Sequence, residues 1–278
     1  MIDCSVKPQE FRLLRDLVHR QIGVCLSEAK VGLLESRLRG RLRELGLSSF
    51  MSYYHHLLEQ DEERAELQHL VDAITTNTTS FFREPVHFEV LARELVPAWL
   101  RRQSSAETPR IRLWSAACST GQEAYSLAAV LRVGLHDLRG FDVKILGTDV
   151  SQRALRAARA ARYPQRAAAE IPARWRGTLL RSGHGDAAVL TVSDELRALT
   201  VFQPLNLMAE TYPFSGRFDA IFCRNALIYF DAATRRALVG KLRHHLAPGG
   251  YLFLGLSEPL VELPKGLRVL GQSVYQKA

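Results

Sequence analysis

Cysteine and long hydrophobic runs are scarce in this sequence. Its 278 residues include 4 cysteines, which are scattered and form neither a CxxC pair nor a metal-ligand spacing with histidine. No apolar run approaches the roughly 20 residues that cross a bilayer, and the charged start MIDCSVKPQEFRLLRD lacks the apolar core of a signal peptide. These absences predict a cytoplasmic protein with no metal ion and no membrane-inserted segment.

Positive charge is lacking in the N-terminal part and concentrated in one later segment. The formal net charge is +8, yet residues 1–80 contain 10 basic and 12 acidic side chains. Between Arg153 and Arg181 there are eight arginines and one acid, Glu170. Such a stripe fits a nucleic-acid surface. A solvated helix face rich in alanine and arginine explains it as well, and this is the favoured interpretation.

Strand patterns are also missing before residue 110. Apolar residues recur every three or four positions between Phe11 and Ile22, which predicts a helix that ends at Gly23. A second helix is predicted between Ser27 and Gly46, and two further amphipathic segments follow it. These patterns predict an all-helical N-terminal domain, which we assign to residues 1–85.

From residue 110 onwards, short apolar segments alternate with helical ones. The predicted strands are RIRLWSAAC, VKILGTDV, LTVFQPLNLM, FDAIFCRNALIYF, YLFLGLSE and, as a single last strand, LRVLGQSVYQK. This alternation predicts an α/β fold with a doubly wound, mostly parallel sheet over residues 86–278. Residues 164–200 are too long for a crossover loop. Their strand-like runs GDAAVLTV and LRALTV predict a small antiparallel β insertion.

The loop after the first predicted strand lacks the GxGxxG pattern that binds a pyrophosphate. Its sequence SAACSTGQEAYS has one glycine, Gly121, which argues against NAD and FAD. Asp149 ends the second strand, where a carboxylate can accept both ribose hydroxyls. Asn206 and Asn225 follow strands three and four, where amides can bind an adenine edge or cap exposed backbone. Together these residues predict adenosine without phosphates, and S-adenosylmethionine (SAM) is the leading candidate.

Three longer motifs carry a resemblance to a known family. The segments TTNTTSFFREPVHF (75–88), WSAACSTGQEAYS (114–126) and FDAIFCRNALIYFD (218–231) resemble the chemotaxis-receptor glutamate methyltransferases, the CheR family. GTDVS (147–151) and LNLM (205–208) lie between them in the expected order. The resemblance covers essentially the whole chain. It implies a class I SAM-dependent methyltransferase with a Rossmann-like fold, which releases S-adenosylhomocysteine.

The resemblance also implies the site residue by residue. Arg83 and Tyr229 match the catalytic positions, beside the substrate and facing the transferred methyl group. The implied cofactor-binding residues are Asn77, Thr79, Arg83, Glu123, Asp149, Asn206, Leu207, Arg224 and Asn225. Gln122 and Ala124 replace the Glu and Pro of many members, and neither change removes an implied contact.

The implied substrates are glutamate side chains in the cytoplasmic domain of chemoreceptors. The implied enzyme is a cytoplasmic monomer that is recruited to membrane receptor arrays. In some members the β insertion captures the receptor's C-terminal peptide as an added strand, and RSGHGD (181–186) is a plausible turn for it. Two other functions remain open. A nucleic-acid methyltransferase is disfavoured because RNALIY stands where DPPY or NPPY is expected, and a noncatalytic SAM-binding module is disfavoured by the intact Arg83 and Tyr229.

The helix around residues 30–43 is the predicted docking surface for the receptor. Arg37 and Arg41 are four residues apart and therefore share one helix face. A basic ridge there would attract an acidic receptor helix. The alternative hypothesis is that this face pairs within the chain with the acidic stretch 59–66.

Overall fold

Helices fill the N-terminal part of the chain. The computed structural model describes residues 5–59, 64–101, 108–136, 138–182 and 189–278. The first helices are α1 Pro8–Ile22, α2 Val31–Glu44, α3 Phe50–Glu59 and α4 Ala65–Ile74, with a 3-10 turn at Glu28–Lys30. Leu14, Leu38, Tyr53 and Leu70 lie in the core that the four helices share. Each helix thus buries the apolar stripe that its sequence period predicts.

The remaining elements alternate between helix and strand. The helices are α5 Pro85–Val90, α6 Val96–Leu100, α7 Gln122–Gly134, α8 Gln152–Ala160, α9 Ala173–Leu179, α10 Asp194–Leu199 and α11 Ala232–His245. The strands are β1 Arg110–Ala116, β2 Asp142–Asp149, β3 Arg162–Pro164, β4 Leu180–Ser182, β5 Val189–Val192, β6 Thr200–Pro204, β7 Phe218–Cys223, β8 Leu246–Leu254, β9 Leu267–Gly271 and β10 Val274–Lys277. A π-helical turn, Leu91–Leu95, joins α5 to α6. The α11 N-cap is Asp231, and its side chain accepts a hydrogen bond from the Thr234 N–H.

The main sheet has the strand order β6-β2-β1-β7-β8-β10-β9. All its neighbours are parallel except β10, which runs antiparallel to β8 and β9. The predicted fold class, a doubly wound and mostly parallel sheet behind a helical N-terminal part, is confirmed. Because the winding reverses next to β1, the carboxyl ends of β1, β2 and β7 open a crevice where ligands of such sheets bind.

Two local predictions are wrong. LRVLGQSVYQK is a hairpin of β9 and β10 rather than one strand, because Gly271, Gln272 and Ser273 all adopt positive φ and reverse the chain. The first part of LRALTV belongs to α10 rather than to a strand. Two acids occupy the first turn of α10, where they favour the helix dipole, and Leu196 points into the core.

The β insertion is a three-stranded antiparallel sheet of order β3-β5-β4. It begins at Arg162, two residues before the predicted start. A 3-10 segment, Gln165–Glu170, and α9 lie between β3 and β4, so the insertion also contains helix. Part of the predicted turn RSGHGD, residues 183–186, lies outside the described residues.

Several arginines of the basic segment contact the protein itself. Arg153 donates to the Asp72 carbonyl at 2.8 Å, and Arg159 donates to the Phe202 carbonyl at the same distance. Arg174 pairs with Glu89 on α5. These contacts favour an internal role for these side chains. The expected absence of a nucleic-acid partner stays a prediction.

Candidate active site

All ten residues that the sequence assigns to cofactor binding and catalysis line one cleft. It lies at the carboxyl ends of β1, β2 and β7, and residues 22–30 and 74–80 of the helical part form its other side. The ten residues are Asn77, Thr79, Arg83, Glu123, Asp149, Asn206, Leu207, Arg224, Asn225 and Tyr229. Their convergence from five separate sequence segments is a property of the fold, and their roles stay predictions.

The β1–α7 loop forms the floor of the cleft in a strained conformation. Ala117 and Ser119 have φ of 60° and 51°, and Gly121 has φ of 93°. A Cβ on Gly121 would lie 2.8 Å from the Cβ of Ala158, so only glycine lets α7 approach α8 this closely. Backbone strain of this kind costs on the order of 1–3 kcal/mol per residue and is concentrated at functional sites.

Asp149 is buried at the end of β2, where the sequence predicts a ribose-binding acid. Its Oδ1 accepts the Ser151 N–H and its Oδ2 accepts the Ser119 N–H, both at 2.8 Å. Burial raises the pKa of Asp149, although these backbone hydrogen bonds oppose the rise. The Val150 N–H also bonds to this carboxylate. Because a carboxylate has about four acceptor positions, Asp149 keeps capacity to accept a ligand hydroxyl.

Arg224 forms the centre of an ionic network on the opposite wall. Its Nη1 lies 3.1 Å from Glu123 Oε2, and its Nη2 lies 3.0 Å from Glu84 Oε2. The Ser115 hydroxyl donates to Glu123 at 2.6 Å. Burial raises the pKa of Glu123 despite Arg224. At Glu84 burial also opposes ionisation, but hydrogen bonds from Asn225 and Arg224 outweigh it and lower the pKa.

Two asparagine side chains are engaged by the protein. Asn206 Nδ2 donates to the Gln21 carbonyl at 2.6 Å, and Asn206 Oδ1 accepts the Met208 N–H. Asn225, with φ of 57°, donates from Nδ2 to Glu84 Oε1 at 3.0 Å. Both residues shape the cleft wall through these contacts, and Leu207 lines the cleft beside Asn206.

The catalytic candidates lie at the open side of the cleft. Arg83 is exposed and donates to the Thr78 carbonyl at 3.2 Å. Tyr229 is half-buried at the end of the 3-10 turn Leu227–Tyr229. Its carbonyl accepts the Cys25 N–H at 2.8 Å, and the Lys30 ammonium lies 5.1 Å from its ring centroid. The helical part therefore contacts the turn that carries Tyr229 directly.

Sequence reasoning did not identify three residues that line the cleft or contact its lining. Lys30 directly precedes α2 and lines the cleft, with its ammonium over the Tyr229 ring. Glu84 directly follows Arg83, and Glu258 lies in the loop after β8. Both side chains contact residues that line the cleft. An acid just beyond a parallel strand is the signal that could have identified Glu258.

Cys118 and Cys223 are both buried. They lie in the core on either side of the cleft, and burial raises the pKa of both thiols. Both therefore remain neutral thiols at physiological pH. As buried, neutral thiols they act as small apolar packing groups.

The predicted docking arginines lie on α2, outside the cleft, and contact the protein. Arg37 Nη1 donates to three backbone carbonyls at the end of α4, those of Ala73, Ile74 and Thr75. Arg41 lies 2.6 Å from Glu66 Oε2, and the Glu66 and Glu44 hydrogen bonds raise its pKa. The Arg41–Glu66 pair supports the alternative hypothesis of pairing with the acidic stretch 59–66. Arg37 instead bonds within the chain to backbone carbonyls beyond that stretch.

One group of possible metal ligands comes together among the described residues. The donor atoms of His19, Cys25 and Asp231 lie within 4.8 Å of one another. His19 Nε2 already lies 3.2 Å from Asp231 Oδ2, and the other oxygen of Asp231 caps α11. The absence of a metal ion stays a prediction.

Comparison with known proteins identifies the family. The model described as CheR methyltransferase, SAM binding domain, matches residues 77–276, and the CheR methyltransferase all-alpha domain matches residues 9–75. The chain belongs to the CheR methyltransferase family. It is a SAM-dependent chemotaxis protein methyltransferase, as the sequence motifs imply.

Curated CheR relatives align over nearly the full chain. Chemotaxis protein methyltransferase 2 of Pseudomonas aeruginosa is 40% identical over 273 residues, which cover 97% of this chain and 93% of that protein. The Borreliella burgdorferi enzyme is 36% identical over 99% of this chain and 96% of its own length. The Escherichia coli enzyme is 36% identical over 98% and 91%.

The cleft of this CheR-family protein fits SAM. Arg224 Nε is buried and has no hydrogen-bond partner among the residues that the structure describes, so the wall retains a donor for a ligand. Asp149 keeps acceptor capacity for a ligand hydroxyl, and small residues of the β1–α7 loop, Ala117 and Ser119, line the cleft. No helix in the described ranges is long and apolar enough to cross a membrane.

Proposed function

We propose that this CheR-family enzyme transfers the methyl group of SAM to glutamate side-chain carboxylates in the cytoplasmic domain of chemoreceptors. The products are glutamate methyl esters, which serve sensory adaptation. The observation that carries the proposal is the single cleft lined by all ten residues that the motifs imply. We further propose a cytoplasmic monomer recruited to receptor arrays, with residues 1–85 docking the receptor and residues 86–278 performing catalysis.

The cofactor would be held by groups from both walls of the cleft. Asp149 would accept the two ribose hydroxyls, and Glu123 with Arg224 would bind the charged methionyl end. Asn206, Leu207 and Asn225 would surround the adenine, and Asn77 and Thr79 would close the site from the helical side. When bound, SAM supplies a methyl group on a cationic sulfonium, which is an activated leaving group.

The substrate glutamate needs no general base. Its side-chain pKa of about 4.3 keeps it ionised at neutral pH, so the protein's task is alignment, which is worth on the order of several kcal/mol. Arg83 would hold the non-attacking carboxylate oxygen, and Tyr229 would orient the attacking one. If the ion pair between Arg83 and the substrate carboxylate were too strong, it would stabilise the ground state and slow the attack on the methyl group. The exposure of Arg83 weakens that pair, because solvent screens it.

The β insertion is the proposed docking edge for the receptor's C-terminal peptide. β3 and β4 are the outer strands of its sheet, and an edge strand offers unpaired N–H and carbonyl groups to an added strand. Titration with receptor tail peptides tests this role. Absence of binding at millimolar peptide would remove it.

The docking role of Arg37 and Arg41 is kept as a second hypothesis. Their hydrogen bonds to the end of α4 and to Glu66 favour pairing within the chain. The two arginines would still attract an acidic receptor helix over a distance. Their positive charge raises the rate of encounter with the receptor without direct contact.

Methyl-ester formation is the decisive experiment for the proposed function. The protein is incubated with methyl-labelled SAM and purified receptor cytoplasmic domains, and base-labile label on the receptor is measured. Labelled methyl esters on receptor glutamates are the expected result. SAM binding without label transfer to any receptor would instead support a noncatalytic module, and label on nucleic acid would refute the protein substrate.

A further inference from the structure

Glu258 is a buried carboxylate bonded to backbone at the edge of the cleft. Its side chain is 6% exposed. Its Oε2 accepts the N–H groups of Asn225 at 2.6 Å and Gly255 at 2.9 Å, and its Oε1 accepts the N–H of Ile228 at 3.0 Å. One side chain therefore joins the loop after β7 to the loop after β8.

A second carboxylate joins the same two loops to the segment before α5. Glu84 Oε1 accepts from Asn225 Nδ2, while its Oε2 accepts from Arg224 and, at 3.2 Å, from the N–H of Leu256. Packing at this junction is tight. A Cβ on Gly255 would lie 2.5 Å from Glu258 Oε2 and 3.0 Å from the backbone nitrogen of Asn225.

The loop held by these bonds contains cofactor-cleft and catalytic candidates. Residues 224–229 run from Arg224 to Tyr229, and the 3-10 turn that carries Tyr229 begins at Leu227. Asn225 adopts φ of 57°, which a non-glycine residue keeps only when its surroundings enforce it. Glu258 accepts the N–H of Asn225 and the N–H of Ile228 inside the turn. It therefore holds both the strained residue and the turn in place.

We infer that Glu258 is a positioning residue for methyl transfer, which sets the orientation of Tyr229 through the backbone of Asn225 and Ile228. The inference rests on the proposed function. In-line attack requires the reacting groups to be held within a fraction of an ångström. Charge-assisted hydrogen bonds to backbone N–H groups are stronger than neutral ones, so an ionised Glu258 restrains the turn better than a neutral amide does.

The test replaces the carboxylate by an amide of the same shape. In Glu258→Gln, one side-chain oxygen becomes an NH₂ group that faces a backbone N–H, so at least one of the three bonds is lost. We expect kcat with receptor substrate to fall at least ten-fold, while the Kd for SAM changes less than three-fold. Glu258→Asp, which keeps the charge on a shorter side chain, is expected to recover part of kcat.

Glu10→Gln is the matched control. Glu10 is 3% exposed, and its carboxylate also accepts backbone N–H groups, from Lys7 at 2.7 Å and Met51 at 2.9 Å, but it lies in the helical core away from the cleft. Both variants remove a buried backbone-bonded carboxylate, so both are expected to lower Tm. Only Glu258→Gln is expected to lower kcat per folded molecule.

A double-mutant cycle with Tyr229→Phe tests the route of the effect. If Glu258 acts through Tyr229, the two losses in kcat overlap and the double variant is little worse than the poorer single variant. Fully additive losses overturn that route. Unchanged kcat in Glu258→Gln overturns the positioning role itself, whatever Tyr229→Phe does.

Failure of the proposed function gives a different result. In that case the wild-type protein transfers no methyl group to receptor glutamates, and the loss is present before any substitution. A wild-type enzyme that methylates receptors, together with a Glu258→Gln variant that matches it, refutes only the present inference.

Discussion

At the residue scale, Asp149 combines burial with a pair of backbone donors. Its side chain is 7% exposed. Burial raises its pKa, although hydrogen bonds from the N–H groups of Ser119 and Ser151 oppose the rise. A ligand hydroxyl that donates to this carboxylate would favour its ionised form, because hydrogen bonds to a charged group stabilise the charge. Asp149 is therefore the residue whose loss most directly tests the cofactor assignment.

We expect Asp149→Ala to weaken SAM binding by about 1.5–3 kcal/mol, the range for hydrogen bonds to a charged group. Isothermal titration calorimetry measures this change. Asp142→Ala is the control, because Asp142 lies at the amino end of the same strand and pairs with Arg112. Equal SAM affinity in Asp149→Ala and wild type would contradict the assignment.

Arg83 and Tyr229 are expected to act on turnover. Arg83→Ala and Tyr229→Phe should each lower kcat more than they lower SAM affinity, since both groups are proposed to align the substrate carboxylate. Steady-state kinetics with receptor substrate, together with calorimetry, separate the two effects. Arg93→Ala is the control, because that side chain is 78% exposed on the helical segment outside the cleft. Full kcat in either variant would contradict the catalytic role proposed for the residue that it replaces.

At the scale of elements, α2 and α4 are joined by the two predicted docking arginines. Reversing Arg37 and Arg41 to Glu would place carboxylates against α4 carbonyls and against Glu66, which is 5% exposed. We expect a loss of roughly 1–3 kcal/mol in stability, between the values for exposed and buried pairs. Thermal unfolding measures it.

Receptor kinetics of the same double variant distinguish the docking hypothesis. Docking requires the KM for receptor to rise several-fold, with unchanged SAM affinity and a weaker salt dependence of the rate. Arg39→Glu is the control, because Arg39 pairs only with Glu35 on its own helix among the ion pairs described. Unchanged Tm with a raised KM would establish docking over pairing within the chain.

The α2–α4 contact also predicts a pH dependence. Burial opposes ionisation of Glu66, but Arg41 and Tyr53 outweigh it and lower its pKa from the ordinary value of 4.5. A carboxylate with a lowered folded pKa stabilises the fold above its unfolded pKa, and this contribution is lost as the pH falls through the folded value.

The difference in Tm between wild type and Glu66→Gln is therefore expected to be largest near neutral pH. It should shrink once the pH falls below 4.5, as Glu66 takes up a proton in the folded state. Thermal melts from pH 7 to pH 3 measure this. A difference that stays constant over that range would show that Glu66 does not act through its charge.

At the scale of the whole molecule, the cleft joins the helical part to the sheet. Asn206 bonds to Gln21, Gln68 Nε2 donates to the Val150 carbonyl at 3.1 Å, and Cys25 bonds to the Tyr229 carbonyl. Residues on both sides line the same cleft. A ligand in the cleft therefore contacts both parts and couples their stabilities.

SAM at 100 times its Kd should raise the free energy of unfolding by about 2.7 kcal/mol. Hydrogen exchange should then show added protection in α1 and α2 as well as around β1 and β2. The Asp149→Ala variant at the same SAM concentration is the control. Protection confined to residues after 110 would contradict coupling of the two parts.

Much of the fold and the outline of the site were open to prediction from sequence. Helices and strands follow from periodicity, and Asp231 as a cap and Asp149 at a strand end follow from local chemistry. The family, the fold class, the SAM cofactor and the methyltransferase activity are confirmed. The individual roles of the site residues and the division at residue 85 stay predictions.

The sequence by itself determined these features because each depends on residues close together in the chain or on long motifs. Only the tertiary structure decided the partners of polar and charged groups that are far apart in the sequence. Arg37 meets Thr75, Glu258 meets Asn225, and Asn206 meets Gln21 across 38, 33 and 185 positions. Hydrogen bonds and ion pairs depend on separations of about 3 Å in space, and local patterns carry no information about which distant groups reach that distance.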